Sequence, residues 1–145
     1  MIFILEEKMS RIVVSVFLLS ALFKGSHGLG APKVYIIEPK NGAQVSQGDL
    51  KVLFGLNGMG VAPAGVKQKG TGHHHLLVDY EGSPDLSKPL PKSKNLIHFG
   101  GGQTETVLKN LAPGKHTLKL IFADFAHVPI KPAVESQEVV IYVKK

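Results

Sequence analysis

The chain has 145 residues, 43% of them hydrophobic, a formal charge of +6 and no cysteine. That length suits one domain, and the missing cysteine excludes disulfides and thiol chemistry, so a hydrophobic core must hold the fold. Arg11 is the only arginine and the lysines are scattered, which argues against the bidentate phosphate and base contacts of a nucleic-acid binder.

Ile12–Phe23 is a mostly apolar run with Lys8 and Arg11 before it and the small, polar Gly25-Ser26-His27-Gly28 after it. A spanning helix needs ~20 apolar residues, so this shorter run reads as the core of a cleaved export signal. Cleavage is expected after Gly28, with Ser26 at the −3 position, and Met9 is an alternative start. The expectation is a signal peptide over 1–28 and one domain over 29–145, placed in the periplasm or secreted. That domain keeps fourteen lysines, nine acidic residues and no arginine. Its charge reads as a solvated surface with weak attraction to an anionic envelope.

Past the signal, strand patterns alternate with Gly/Pro turns and no segment carries a helical period. Val34–Glu38 is a short apolar strand closed by the turn Pro39-Lys40-Asn41-Gly42. Leu50–Leu56 alternates, with Leu50, Val52, Phe54 and Leu56 on one face. His73–Tyr80 is the third strand. The Pro/Ser/Lys/Gly-rich stretch Glu81–Gly102 is read as a connection with a short edge strand near Leu96–Phe99. Gln103–Leu111, His116–Asp124 and Gln137–Val143 complete the set. This pattern predicts an all-β, immunoglobulin-like antiparallel sandwich of six to eight strands. In that fold a tyrosine usually ties the corner before the sixth strand to nearby backbone; here, after Leu111-Ala112-Pro113-Gly114-Lys115, His116 occupies the place and is read as a structural corner residue.

With strands in that order, the start of His73–Tyr80, the start of Gln103–Leu111 and the end of His116–Asp124 fall at one pole. The segments Asn57–Gly72 and Phe125–Glu135 cover the same pole. His73, His74, His75, His98 and His127 therefore converge there, and His116 lies at the other end. His73 and His75 share one strand face and His74 takes the opposite one. An H-x-H pair with a third imidazole can chelate one ion at ~2 Å, and imidazole-only ligation suits Zn(II) or Cu(II). The expected metal ligands are His73, His75 and His127, with His98 next. Asp124 or Glu105 is a fourth ligand or orients an imidazole from behind, and Gly100-Gly101-Gly102 allows close backbone approach.

The competing reading is a neutral histidine network that only orders the loops of a non-enzymatic envelope-interaction or adhesion module. His74 shares its face with Leu76, Val78 and Tyr80 and reads as a core-edge residue bonded to backbone. Catalysis is not expected. No serine sits in a nucleophile elbow, and a copper brace built on His27 needs cleavage after Ser26, which puts Lys24 at −3. The partner is thus expected to be a metal ion, with an envelope protein partner open and no nucleic acid.

Gly70-Thr71-Gly72-His73-His74-His75-Leu76-Leu77-Val78-Asp79, His98-Phe99-Gly100-Gly101-Gly102-Gln103-Thr104-Glu105-Thr106, Leu111–Leu118 and Asp124–His127 occur here in that order. Together they resemble a family of small exported bacterial domains of unknown function, some carrying a rod shape-determining label. The resemblance covers most of residues 29–145. It implies export and brings no established activity.

Overall fold

The computed structural model describes residues 30–145; the expected export signal, its expected cleavage site and His27 lie outside the described residues. Among those described, the chain forms β1 (Lys33–Glu38), β2 (Ala43–Val45), β3 (Leu50–Asn57), β4 (Gly60–Val61) and β5 (Thr71–Val78). It continues through β6 (Leu96–His98), β7 (Glu105–Leu108), β8 (Gly114–Ala123), β9 (Pro129–Glu135) and β10 (Val139–Val143). No helix among them is long and apolar enough to cross a membrane.

The strands make two sheets. A three-stranded sheet runs β1-β3-β7, and a larger one runs β2-β10-β8-β5-β4, with β6 added to β5 and β9 to β8. Alternation along β3 and β8 sends Val52, Phe54, Leu118, Leu120 and Phe122 inward, where they meet Val34, Leu76 and Ile141 in the core of an immunoglobulin-like sandwich. Three strands lie outside the expected set. β2 and β4 are two or three residues long, too short for a period to show. β9 contains Pro129 and Pro132, which cannot donate to a ladder, and it pairs only β8, with a register shift between Phe122 and Ala123.

The β5–β8 part of the larger sheet is buried on both faces. Its outer face carries a second apolar cluster of Leu77, Leu90, Leu96, Ile121 and Ala123, joined by Tyr80 and Leu86. The Asp79–Asn95 connection lies over that face as a strap. Asp79, at φ 49°, ends the strand at Val78, so Tyr80 packs on the outer cluster and not on the face of Leu76 and Val78, where simple alternation puts it.

Gly72, just before the histidines, is a point of close approach. A Cβ there would collide with the carbonyl oxygen of Ala123 and lie 2.9 Å from the Phe122 ring. Backbone cannot swing aside as a side chain can, so Gly72→Ala is expected to destabilise the fold by about 2 kcal/mol or more. Urea denaturation measures it; an unchanged midpoint would show that β5 and β8 are less tightly apposed than described.

Candidate metal centre

β5 is the strand that sorts the histidines. It pairs with β8 through His73↔Ala123, His74↔Phe122 and His75↔Ile121, and with β6 through His75↔His98. Strand alternation turns His74 into the sandwich and His73 and His75 to the outer face, under the strap. All three are essentially inaccessible to solvent.

Three elements bring imidazoles together on that outer face. His73 Nε2 lies 3.1 Å from His98 Nε2, and His127 Nε2 lies 3.1 Å from the same His98 atom. Ligand nitrogens of His73, His98 and His127 all stand within 4.8 Å of one another. The His75 ring is 4.8 Å from that of His73 and 5.1 Å from that of His98, centroid to centroid. The four expected ligands are therefore neighbours, but the centre of the group is His98 and not the His73/His75 pair.

Local backbone chemistry aims two of these rings. Asp124 Oδ1 accepts the N–H groups of Ala126 at 2.9 Å and Val128 at 3.0 Å, folding a tight turn. That turn holds His127 at φ 67°, a left-handed conformation that costs a non-glycine residue roughly 1 kcal/mol. Asp124 thus positions His127 through the main chain. For His98 the reason is Gly100: a Cβ there would lie 2.7 Å from His98 Nε2 and closer still to Cε1. Upstream, Ala64 N–H donates to the Gly100 carbonyl and Gly65 N–H to that of Phe125, pinning the β4–β5 loop beside the cluster.

Glu105 does not reach the cluster, and His74 stands apart from it as a core residue bonded to backbone. Glu105 and Val107 face solvent on β7, and Glu105 pairs with Lys51 at 3.1 Å on the smaller sheet. It begins a strand of the other sheet, so sharing a pole does not bring its carboxylate to the histidines. His74 lies on the inner face, its ring 5.2 Å from Phe54 and 5.1 Å from Phe122. Its Nδ1 donates to the Gln103 carbonyl at 3.1 Å, which leaves Nε2 buried without a partner. At the far end, His116 Nε2 donates to the Ala112 carbonyl at 2.7 Å and Nδ1 to Asp79 Oδ2 at 2.6 Å. Both partners are acceptors, so both ring nitrogens carry hydrogen and His116 is cationic in this arrangement.

Three of the four outer rings are pushed toward the neutral form. Burial, then the rings of His98 and His127, push His73 down to about 4, although Asp124 opposes this. Burial, then His73 and the other two rings, push His75 down to about 3. His98 is lowered by burial, by His127 and by Lys92. A neutral imidazole is the form that offers a lone pair to a metal.

Hydrogen bonding among the rings does not account for the contacts. A neutral ring nitrogen carries one hydrogen or one lone pair, never both, so His98 Nε2 fully satisfies only one of its two ring neighbours. Nitrogens bound at ~2.0–2.1 Å to a shared ion stand roughly 2.9–3.4 Å apart for angles between square and tetrahedral, which brackets both 3.1 Å separations. On those two contacts and on its ligand type, the donor set fits a transition metal. One feature of a finished metal centre is missing: the buried Nδ1 atoms of His73 and His75 have no hydrogen-bond partner, where ligating histidines usually donate to an acceptor behind.

A family described as a domain of unknown function, DUF4399, matches residues 52–144. The chain belongs to that family. The matched stretch of the DUF4399 chain includes all six histidines from His73 to His127. Fibronectin(III)-like modules of CbhA from Clostridium thermocellum are similar to it at 19% identity, over 77% of this chain and 94% of the module, with a TM-score of 0.44. No curated protein matches it.

Sequence reasoning missed the strap residues of the DUF4399 domain. Leu90, Leu96, Pro89, Pro91, Lys92 and Ala64 line a cavity of about 430 Å³ that also touches His75, His98 and His127. The signal was present in the unbroken apolar run Leu120-Ile121-Phe122-Ala123, which marks a strand buried on both faces. A covering segment had to exist, and Glu81–Gly102 supplies it through Leu86 and Leu90.

Proposed function

We propose that this DUF4399 domain is an exported module that binds a divalent transition metal, Zn(II) or Cu(II), through His73, His98 and His127, with His75 beside them. The observation that carries this reading is the double contact at His98 Nε2, 3.1 Å from each of two other ring nitrogens. A neutral His98 Nε2 hydrogen-bonds fully with only one of those neighbours, whereas a shared cation accommodates both. When bound, the ion supplies a Lewis-acidic coordination centre; the chain supplies imidazole donors, buried at His73 and exposed at His98, with Asp124 placing His127. A periplasmic or secreted location is part of the same proposal.

The loop-ordering alternative has less support. The strap is tied to the turn by Leu90 N–H donating to the His127 carbonyl at 2.9 Å, a main-chain bond that needs no imidazole. Leu86 and Leu90 on the outer apolar cluster hold it independently.

Elemental mass spectrometry tests the reading. Protein expressed from the full sequence, purified untagged from the periplasm and dialysed against excess Zn(II) or Cu(II) and then buffer, should retain one ion per chain. The His73→Ala/His75→Ala variant should retain far less. No ion in either protein, with no melting shift on adding either metal, would leave the loop-ordering network.

A further inference from the structure

We propose that the metal-loaded cavity takes a small monocarboxylate with an apolar body, its carboxylate on the ion and beside Lys92, its body against Pro89, Leu90 and Leu96. This rests on the metal reading above and names the ligand class of the same site.

Charge is the first argument. Every proposed ligand is an imidazole, a donor that brings no negative charge to an ion, and no carboxylate lines the cavity. Asp124, the acid nearest the cluster, has Oδ1 engaged by two backbone N–H groups. A divalent ion on such donors keeps its charge, with Asp124 felt at His73 but outside the cavity lining, and so draws an anion to its open position. Lys92 adds a further positive charge that is felt at His98. The site therefore selects an anion.

Access is the second. Three imidazoles leave a tetrahedral ion one open position. His73 is fully buried behind the group, whereas His98, His127 and His75 border the cavity. The open position thus faces the cavity and not the protein interior.

Shape is the third. The walls beyond the histidines are mostly apolar: Ala64, Pro89, Leu90, Pro91 and Leu96, with Lys92 and Ser93 as the polar exceptions. A space of 430 Å³ is at the small end for organic ligands, enough for a body of roughly six carbons with its headgroup. Hydroxide or chloride would answer the charge and leave the apolar walls unused.

Hexanoate, acetate and hexanamide are the probes, added to Cu(II)-loaded protein while its visible d–d absorption and EPR spectrum are followed. Copper uptake is read first, from the same spectra. Hexanoate should shift them and bind at least tenfold more tightly than acetate, about the effect of burying two extra methylenes, and hexanamide should leave them unchanged. Lys92→Met should weaken hexanoate about tenfold, the worth of one charge-assisted contact, and leave copper uptake intact. Leu90→Ser should narrow the gap between hexanoate and acetate. Failure to take up copper overturns both this inference and the metal reading. Uptake with no hexanoate response, or with acetate and hexanoate equal, overturns the inference alone.

Discussion

Acidifying the metal-free protein from pH 6.5 to 4.5 is expected to remove on the order of 4 kcal/mol of stability through His73 and His75 together. In the unfolded chain both rings titrate near 6.5; in the fold, burial and neighbouring imidazoles hold them to about 4 and about 3. Below pH 6.5 the unfolded state binds protons that the folded state refuses, so stability is intact above that value and falls with pH. The slope approaches ~1.4 kcal/mol per pH unit for each ring, continuing toward pH 4 for His73 and pH 3 for His75. His74 and His98, both lowered chiefly by burial, act in the same direction. A domain of this size has about 5–15 kcal/mol in hand, so the apo-protein should be close to unfolding at pH 4.5. His116 has the opposite sign: burial opposes its charge, but the Ala112 carbonyl and Asp79 outweigh that and raise its pKa. Its stabilisation is present below 6.5 and is lost as pH rises through the raised value. Urea midpoints in EDTA from pH 7.5 to 4.5 measure the sum. A His73→Leu/His75→Leu variant should flatten the acid slope, and Asp79→Asn should cost more stability at pH 6 than at pH 9. A midpoint flat from pH 7 to 5 in the wild type would mean that the buried rings accept protons freely.

The sandwich was legible because its inner face obeys a strict alternation: Val52/Phe54 on β3, Leu118/Leu120/Phe122 on β8 and Val139/Ile141/Val143 on β10 announce themselves one residue in two. The convergence of the histidines was legible too, since antiparallel pairing fixes which strand ends meet. What pairing alone does not give is the sheet face. Glu105 shares a pole with the cluster yet opens a strand of the other sheet, and His74 is one residue from His73 yet looks into the core. Register decides both. His98 ranked below His75 as a ligand in the sequence because an H-x-H pair is visible there and a cross-strand pair is not. The His75↔His98 pairing depends on β6, a three-residue strand inside a stretch whose prolines and serines resemble a loop.

His98→Ala is expected to abolish metal-induced stabilisation, and among the four outer histidines His75 is the one whose loss should matter least. Wild-type protein with free metal at about 100 times Kd should gain roughly 2.7 kcal/mol, which moves the melting point of a domain of this size upward by about 10 °C. His98 touches both other ring nitrogens at 3.1 Å, so removing it leaves two donors up to 4.8 Å apart with nothing between them. His127→Ala and His73→Ala each leave two donors in contact and should weaken binding without changing its stoichiometry at high metal. His75→Phe keeps the ring volume against Leu96 and His98 while removing a nitrogen that makes no 3.1 Å contact; it should retain most of the shift. Differential scanning calorimetry with and without Zn(II) at pH 7.5 separates the four variants. Alanine at 98 alone should behave as if no metal were present. If His75→Phe loses the shift and His98→Ala keeps it, the ion sits on the strand pair of β5, and the double contact at His98 is incidental to binding.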